Sequence, residues 1–218
     1  MPAAMPIAID LPPPDVLRHH WAVAAAVYAV GFEDAKVGAD GHRWVYGDGG
    51  GSWVVLTRLD GDRAVLVGND RTYSETYFRF GAQNGLGEVD LLAGLPAWAA
   101  SGIPSDLVGP VGFVYAYTDG CWWRASYDAA DGFARLAPPM LGDNQLLGFV
   151  VSYVADSYAW EYADEDDDTD YAKVDSKALA AAVAAGPDLT RDQLRALVPF
   201  PALDLDRGIA AAAAFRTP

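Results

Sequence analysis

The sequence predicts an α+β protein: an antiparallel sheet of two or more hairpins, an N-terminal helix and a helical C-terminal third. Three observations carry this reading. Two strand–turn–strand signals occupy the middle of the chain, an apolar stripe of helical period precedes them, and capped Ala-rich segments follow. Strands in one stretch, with helices segregated to the ends, argue for an antiparallel sheet. At 218 residues one α+β domain over 1–218 is expected, with 1–142 as helix plus β-rich core and 143–218 as its helical part. A chain of this size buries roughly 70% of its unfolded surface, so no metal or disulfide is needed to hold it together. The 52% hydrophobic content rules out a disordered chain.

The first helix is expected over Pro13–Val30. Pro13 and Pro14 suit a first turn, where a missing N–H costs nothing. Val16, Leu17, His20, Trp21, Ala24, Val27 and Tyr28 then line one face, and Gly31 ends the helix. HRWVY (42–46) reads as a strand and GDGGG (47–51) as a wide hairpin turn. SWVVLTRL (52–59), DGD and RAVLVG (63–68) form a first hairpin. VGFVYAYT (111–118), Asp119–Gly120 and CWWRASY (121–127) form a second. Between them, short helical pieces are expected at 88–92 and 96–100. Beyond them, Leu146, Leu147, Val150, Val151, Val154 and Tyr158 keep a helical period behind a possible Asp143 cap, although their β-branched content leaves a strand open. Further helices are expected at 176–185, stopped by Gly186–Pro187, from Thr190 to Leu197, and over 204–214.

Charge narrows the class of partner. Thirty Asp and Glu against 15 Lys and Arg leave a net charge of −15. Such a surface repels phosphate backbones and anionic lipid, so neither direct nucleic-acid binding nor membrane binding is expected. A basic protein partner suits it, and so does solubility alone. The single cysteine, Cys121, excludes an internal disulfide framework and multi-thiolate zinc. No cofactor or metal is expected. The N-terminus lacks the basic and long apolar regions of a signal peptide, and no apolar run reaches the ~20 residues of a membrane span, so the cytoplasm is the expected location.

The second hairpin can be written out in register. A two-residue turn at Asp119–Gly120 sets Thr118 opposite Cys121, Tyr117 opposite Trp122, and Tyr115 opposite Arg124. Alternation then puts Val114, Ala116, Thr118, Cys121, Trp123 and Ala125 on a core face. The other face carries Phe113, Tyr115, Tyr117, Trp122, Arg124 and Ser126. Tyr, Trp and Arg are enriched at binding hot spots, which makes Tyr115, Tyr117, Trp122 and Arg124 candidate partner-binding residues. The same composition also suits a layer packed beneath a helix, with Arg124 at its edge.

The densest charge is ADEDDDTD (163–170), and residues 156–175 hold nine carboxylates against one lysine, Lys173. Asp164, Asp166, Asp168 and Asp175 fall at positions 1, 3, 5 and 12 of a calcium loop, but Thr169 stands where the sharp turn needs Gly, and position 12 is not Glu. A solvated acidic loop explains the run better. Its alternative role is docking a basic partner through Asp164, Glu165, Asp166, Asp167, Asp168 and Asp170.

Catalytic signals are thin. His19 and His20 are adjacent and about 100° apart on a helix, which is no chelate, and His20 reads as a satisfied histidine at the core edge. Neither a metalloprotease helix nor a nucleophile elbow occurs. The segment 68–80 gathers Asn69, Asp70, Arg71, Tyr73, Ser74, Glu75 and Tyr77 just past a strand end, where polar groups either line a site or cap a loop. A hydrolase-like enzyme would have to draw on His42, Asp48, Asp70 and Glu75.

The run GDGGGSWVVLTRLDGDRAVLVGNDRTYSETYF, with DLLAGLPAW (90–98) after it, resembles uncharacterised proteins of high-GC actinobacteria. The order of leading helix, Trp-bearing hairpins and acidic surface is similar to immunity proteins of bacterial toxin systems, the SUKH superfamily among them. The second likeness is one of architecture and assigns no residue a role. The net charge of −15, the acidic 164–170 strip and the aromatic–Arg face, with no catalytic set beside them, make the expected function non-enzymatic protein binding, in the manner of an immunity protein that neutralises a basic toxin. A hydrolase-like enzyme is the alternative, as is a structural subunit whose Ala-rich helices pack on a neighbour.

Overall fold

The computed structural model describes residues 5–34, 36–78, 88–107, 109–163, 171 and 173–216. Along the chain these form β1 (Ile7–Ile9), α1 (Pro14–Ala29), β2 (Val37–Asp40), β3 (Arg43–Gly47), β4 (Trp53–Leu59), β5 (Arg63–Asn69), β6 (Phe113–Thr118), β7 (Cys121–Arg124), α2 (Phe133–Leu136), α3 (Asp143–Val151), α4 (Ala159–Tyr162), α5 (Ser176–Ala185), α6 (Arg191–Leu197) and α7 (Leu205–Ala213). The α+β class is the one the sequence predicts. The chain divides into two compact units, Met1–Pro13 with His42–Ala137, and Pro14–Gly41 with Pro138–Pro218. The leading helix thus groups with the C-terminal helices and not with the β-rich stretch.

In the first unit the strands run in the order β1-β7-β6-β5-β4-β3, each antiparallel to its neighbour. Asp119 and Gly120 both take the left-handed conformation, at φ +53° and +78°, which matches the twist of a two-residue hairpin turn. The register is the one this turn dictates, with Tyr115 opposite Arg124, Tyr117 opposite Trp122 and Thr118 opposite Cys121. The glycine-rich loop is a hairpin turn as well, because Asp48 Oδ1 accepts from the backbone N–H of Gly50 at 2.7 Å and of Ser52 at 3.0 Å. β1 is an addition that the sequence did not signal. Three residues flanked by prolines carry too little period to read, and the strand is defined by its partner β7.

Both faces of the sheet are covered. On one, Val65, Val67, Val114 and Ala116 are buried with Leu91, Ala99 and Ile103 from the segment joining β5 to β6. That segment holds a 3-10 turn at Ala97–Gly102, and a turn at 91–94 stands where a short helix was expected. On the other face Phe113, Tyr115, Tyr117 and Trp122 are buried too. The expectation of a partner-binding face therefore fails for Tyr115, Tyr117 and Trp122. Phe133 of α2 packs edge-on against Phe113 and Tyr115, with ring centroids 5.0 and 5.2 Å apart. The Trp122 indole lies 5.1 Å from the Tyr117 ring and donates to the carbonyl of Pro12 at 2.8 Å.

In the second unit α1 has no exposed surface from Trp21 through Val27, and it packs against α3, α5, α6 and α7. A helix apolar on every side belongs at a centre. The Ala-rich helices α5 and α7 thus direct buried faces onto α1. Thr190 caps α6 in a capping box with Gln193, and Asp175 caps α5 by accepting from Lys177 N at 2.8 Å. Asp143 does not cap α3, whose N-cap is Gly142. Its carboxylate lies 2.9 Å from the ring of the buried His20, which also meets the carbonyl of Val16. α3 continues through a π-helical stretch at Ser152–Tyr158 into α4. No helix among the described residues is long and apolar enough to cross a membrane.

Candidate functional site

The first unit contains a cavity of about 530 Å³ where the chain leaves β5, the end of β7 and the loop before α2 come together. Its wall includes Tyr73, Glu75, Arg124, Asp131, Gly132 and Arg135. Local hydrogen bonding shapes the first part. Asp70 Oδ1 accepts from the N–H groups of Thr72 and Tyr73, both at 2.8 Å, a turn that Asp favours because its side chain reaches its own downstream backbone. Ser74 Oγ accepts from Asp70 N at 2.9 Å and donates to the carbonyl of Asp131 at 2.8 Å. Glu75 N donates to the carbonyl of Ala130 at 2.7 Å. Two loops far apart in sequence are joined by these bonds. Gly132 permits the closeness: its φ is +82°, and a Cβ there would stand 2.6 Å from both Asp70 Cβ and Ser74 Oγ.

Behind the wall, Asp131 Oδ2 accepts from the hydroxyls of Tyr115 at 2.6 Å and Tyr127 at 2.8 Å. Its Oδ1 takes the N–H of Phe133. Burial pushes both phenols well above the usual tyrosine range, and the Asp131 charge and hydrogen bonds add to the shift. These groups are held neutral and structural.

The two cations stand differently. Arg124 lies with its guanidinium 4.2 Å from the Tyr127 ring centroid, and one of its nitrogens donates to the carbonyls of Ala125 and Tyr127, each at 3.2 Å. Arg135, exposed on α2, rests 5.5 Å from the ring centroid of Tyr73.

Comparison with protein-family models, curated proteins and solved structures finds no match. The site is therefore read from its own geometry.

Of the described partner-binding candidates, only Arg124 reaches this cavity. Asp164, Glu165, Asp166, Asp167, Asp168 and Asp170 lie outside the described residues. The four residues an enzyme would draw on are not brought together. Asp48 and Asp70 are spent on their own turns, His42 is exposed, and only Glu75 lines the cavity. Among the described residues no hydrogen bond joins any two of them.

Sequence reasoning missed Asp131, Tyr127 and Arg135. The Asp131–Gly132 dipeptide is a turn signal that could have marked the loop. Nothing local shows that it folds onto residues 70–75. Trp160 was also missed. It is 87% exposed on α4, one turn before the acidic run, and Tyr162 beside it is partly exposed. The signal was there, because Trp160 falls off the apolar stripe that ends at Tyr158.

Proposed function

We propose that this chain is a non-enzymatic module that binds a basic protein in the cytoplasm, as an immunity or inhibitor protein binds a toxin. The observation that carries the reading is Trp160, exposed over 87% of its surface in a chain of net charge −15 and directly before its densest acidic run. Leaving a tryptophan in water forgoes a large hydrophobic gain, and tryptophan leads the residues that anchor interfaces. Carboxylates around such an anchor attract a basic surface over long range, raise the association rate and disfavour acidic competitors.

The test is co-purification from the native host in rising salt, with the wild-type chain and Trp160→Ala side by side. A protein retained at low salt, released as salt rises and largely lost with Trp160→Ala supports the proposal. Empty eluates at low salt, or undiminished recovery on the alanine variant, overturn it.

A further inference from the structure

The cavity beside Arg124 and Arg135 points to a second binding activity, independent of the partner proposed above. This chain has twice as many carboxylates as Lys and Arg, and Arg43, Arg191, Arg207 and Arg216 each hold a carboxylate. Arg124 and Arg135 do not. Among the described residues neither is in an ion pair, although Asp131 and Glu75 line the same cavity. The reason is local. Asp131 is engaged by two tyrosine hydroxyls and the Phe133 N–H, and Glu75 turns an oxygen toward the backbone of Ala130.

Each guanidinium is also held by an aromatic ring, Arg124 by Tyr127 and Arg135 by Tyr73. Stacking of this kind fixes the planar fork before a ligand arrives, so less freedom is lost on binding. At about 530 Å³ the space falls in the range of small-molecule sites. Alanines at 129, 130 and 134 give the wall a small apolar stretch, with Thr72 beside Tyr73 as a further polar group.

We infer that this cavity binds a small organic monocarboxylate, its carboxylate on Arg124 and Arg135 and its apolar body along the alanine wall. A planar carboxylate matches the guanidinium fork. A single negative charge is favoured over a phosphate dianion because Glu75 and Asp131 stand in the wall and the chain as a whole is strongly acidic.

The test uses benzoate as the probe, with benzamide and inorganic phosphate as comparison arms, on the full chain at low ionic strength. The readout is the side-chain Nε–Hε resonances of Arg124 and Arg135 in a titration by NMR. Benzoate is expected to shift both resonances saturably at millimolar concentration, and Arg135→Gln to weaken its binding by about tenfold. Arg135 is exposed and its side chain makes no hydrogen bond among the described residues, so this variant, which keeps the backbone bond to Gly132, should fold. Three results overturn the inference: resonances unmoved by benzoate, equal shifts with the uncharged benzamide, or phosphate binding as tightly as benzoate.

Discussion

The hydroxyl of Tyr158 donates to the carbonyl oxygen of Val27 at 2.6 Å and lies 3.2 Å from that of Tyr28. These carbonyls belong to the last turn of α1, where a helix runs out of donors of its own, and that of Tyr28 also accepts from the backbone N–H of Phe32 at 3.2 Å. Arg207 of α7 completes the cap by donating to the carbonyls of Ala29 and Val30. The central helix of the second unit therefore ends on side chains supplied from two other helices. Tyr158→Phe removes one buried hydrogen bond without removing the ring. It should cost about 1–3 kcal/mol, read as a lower urea midpoint at unchanged m-value. An unchanged midpoint would mean water satisfies the carbonyls equally well.

Asp131 serves two phenols at once, and Tyr115 is only 3% exposed. Removing the shared acceptor leaves a buried hydroxyl unpaired, which costs more than removing both partners together. Asp131→Ala should destabilise by about 2–4 kcal/mol, whereas adding Tyr115→Phe to it should recover part of the loss. Urea unfolding of the two single variants and the double variant measures the coupling. Simple additivity would show that the bond contributes nothing.

Much of the fold was legible because its signals are local. Asp119–Gly120 specified a turn, the turn specified a register, and every pair of that register is present. The side on which that face would be open was not legible. Alternation separates two faces of a strand without saying which one is covered, and Phe133, nine residues beyond Arg124, closes the second. The cavity was half legible. Segment 69–77 and Arg124 each drew notice, for different reasons and in different readings. Their meeting depends on Ser74 and Glu75 bonding to Asp131 and Ala130, more than fifty residues away, and no periodicity encodes such a contact.

Stability should fall steeply in alkali. Tyr115, Tyr127 and Tyr158 all have phenols raised by burial above the ordinary value near 10. Above that value the unfolded chain has lost these protons while the folded chain keeps them. The unfolded state then binds fewer protons, and unfolding becomes easier as pH rises. The stabilisation is complete below pH ~10 and is lost progressively above it. Phenolate absorbance should appear together with the loss of far-UV circular dichroism for these tyrosines, and Tyr115→Phe should make the decline shallower. Ionisation of all the tyrosines before any unfolding would contradict this assignment.

Trp160 and Trp122 make an internal comparison, since the same residue is 87% exposed in one place and 1% in the other. Trp122→Ala removes a buried ring and its bond to Pro12, and should cost about 3–5 kcal/mol. Trp160→Ala removes a side chain that packs against little, so its effect should stay within about 0.5 kcal/mol. Thermal and urea unfolding of both variants checks this directly. A large loss at Trp160 would mean that the ring supports the fold, and an exposed tryptophan would no longer point to a partner. A neutral Trp160→Ala leaves the exposed ring without a structural reason, which is what an interface anchor requires.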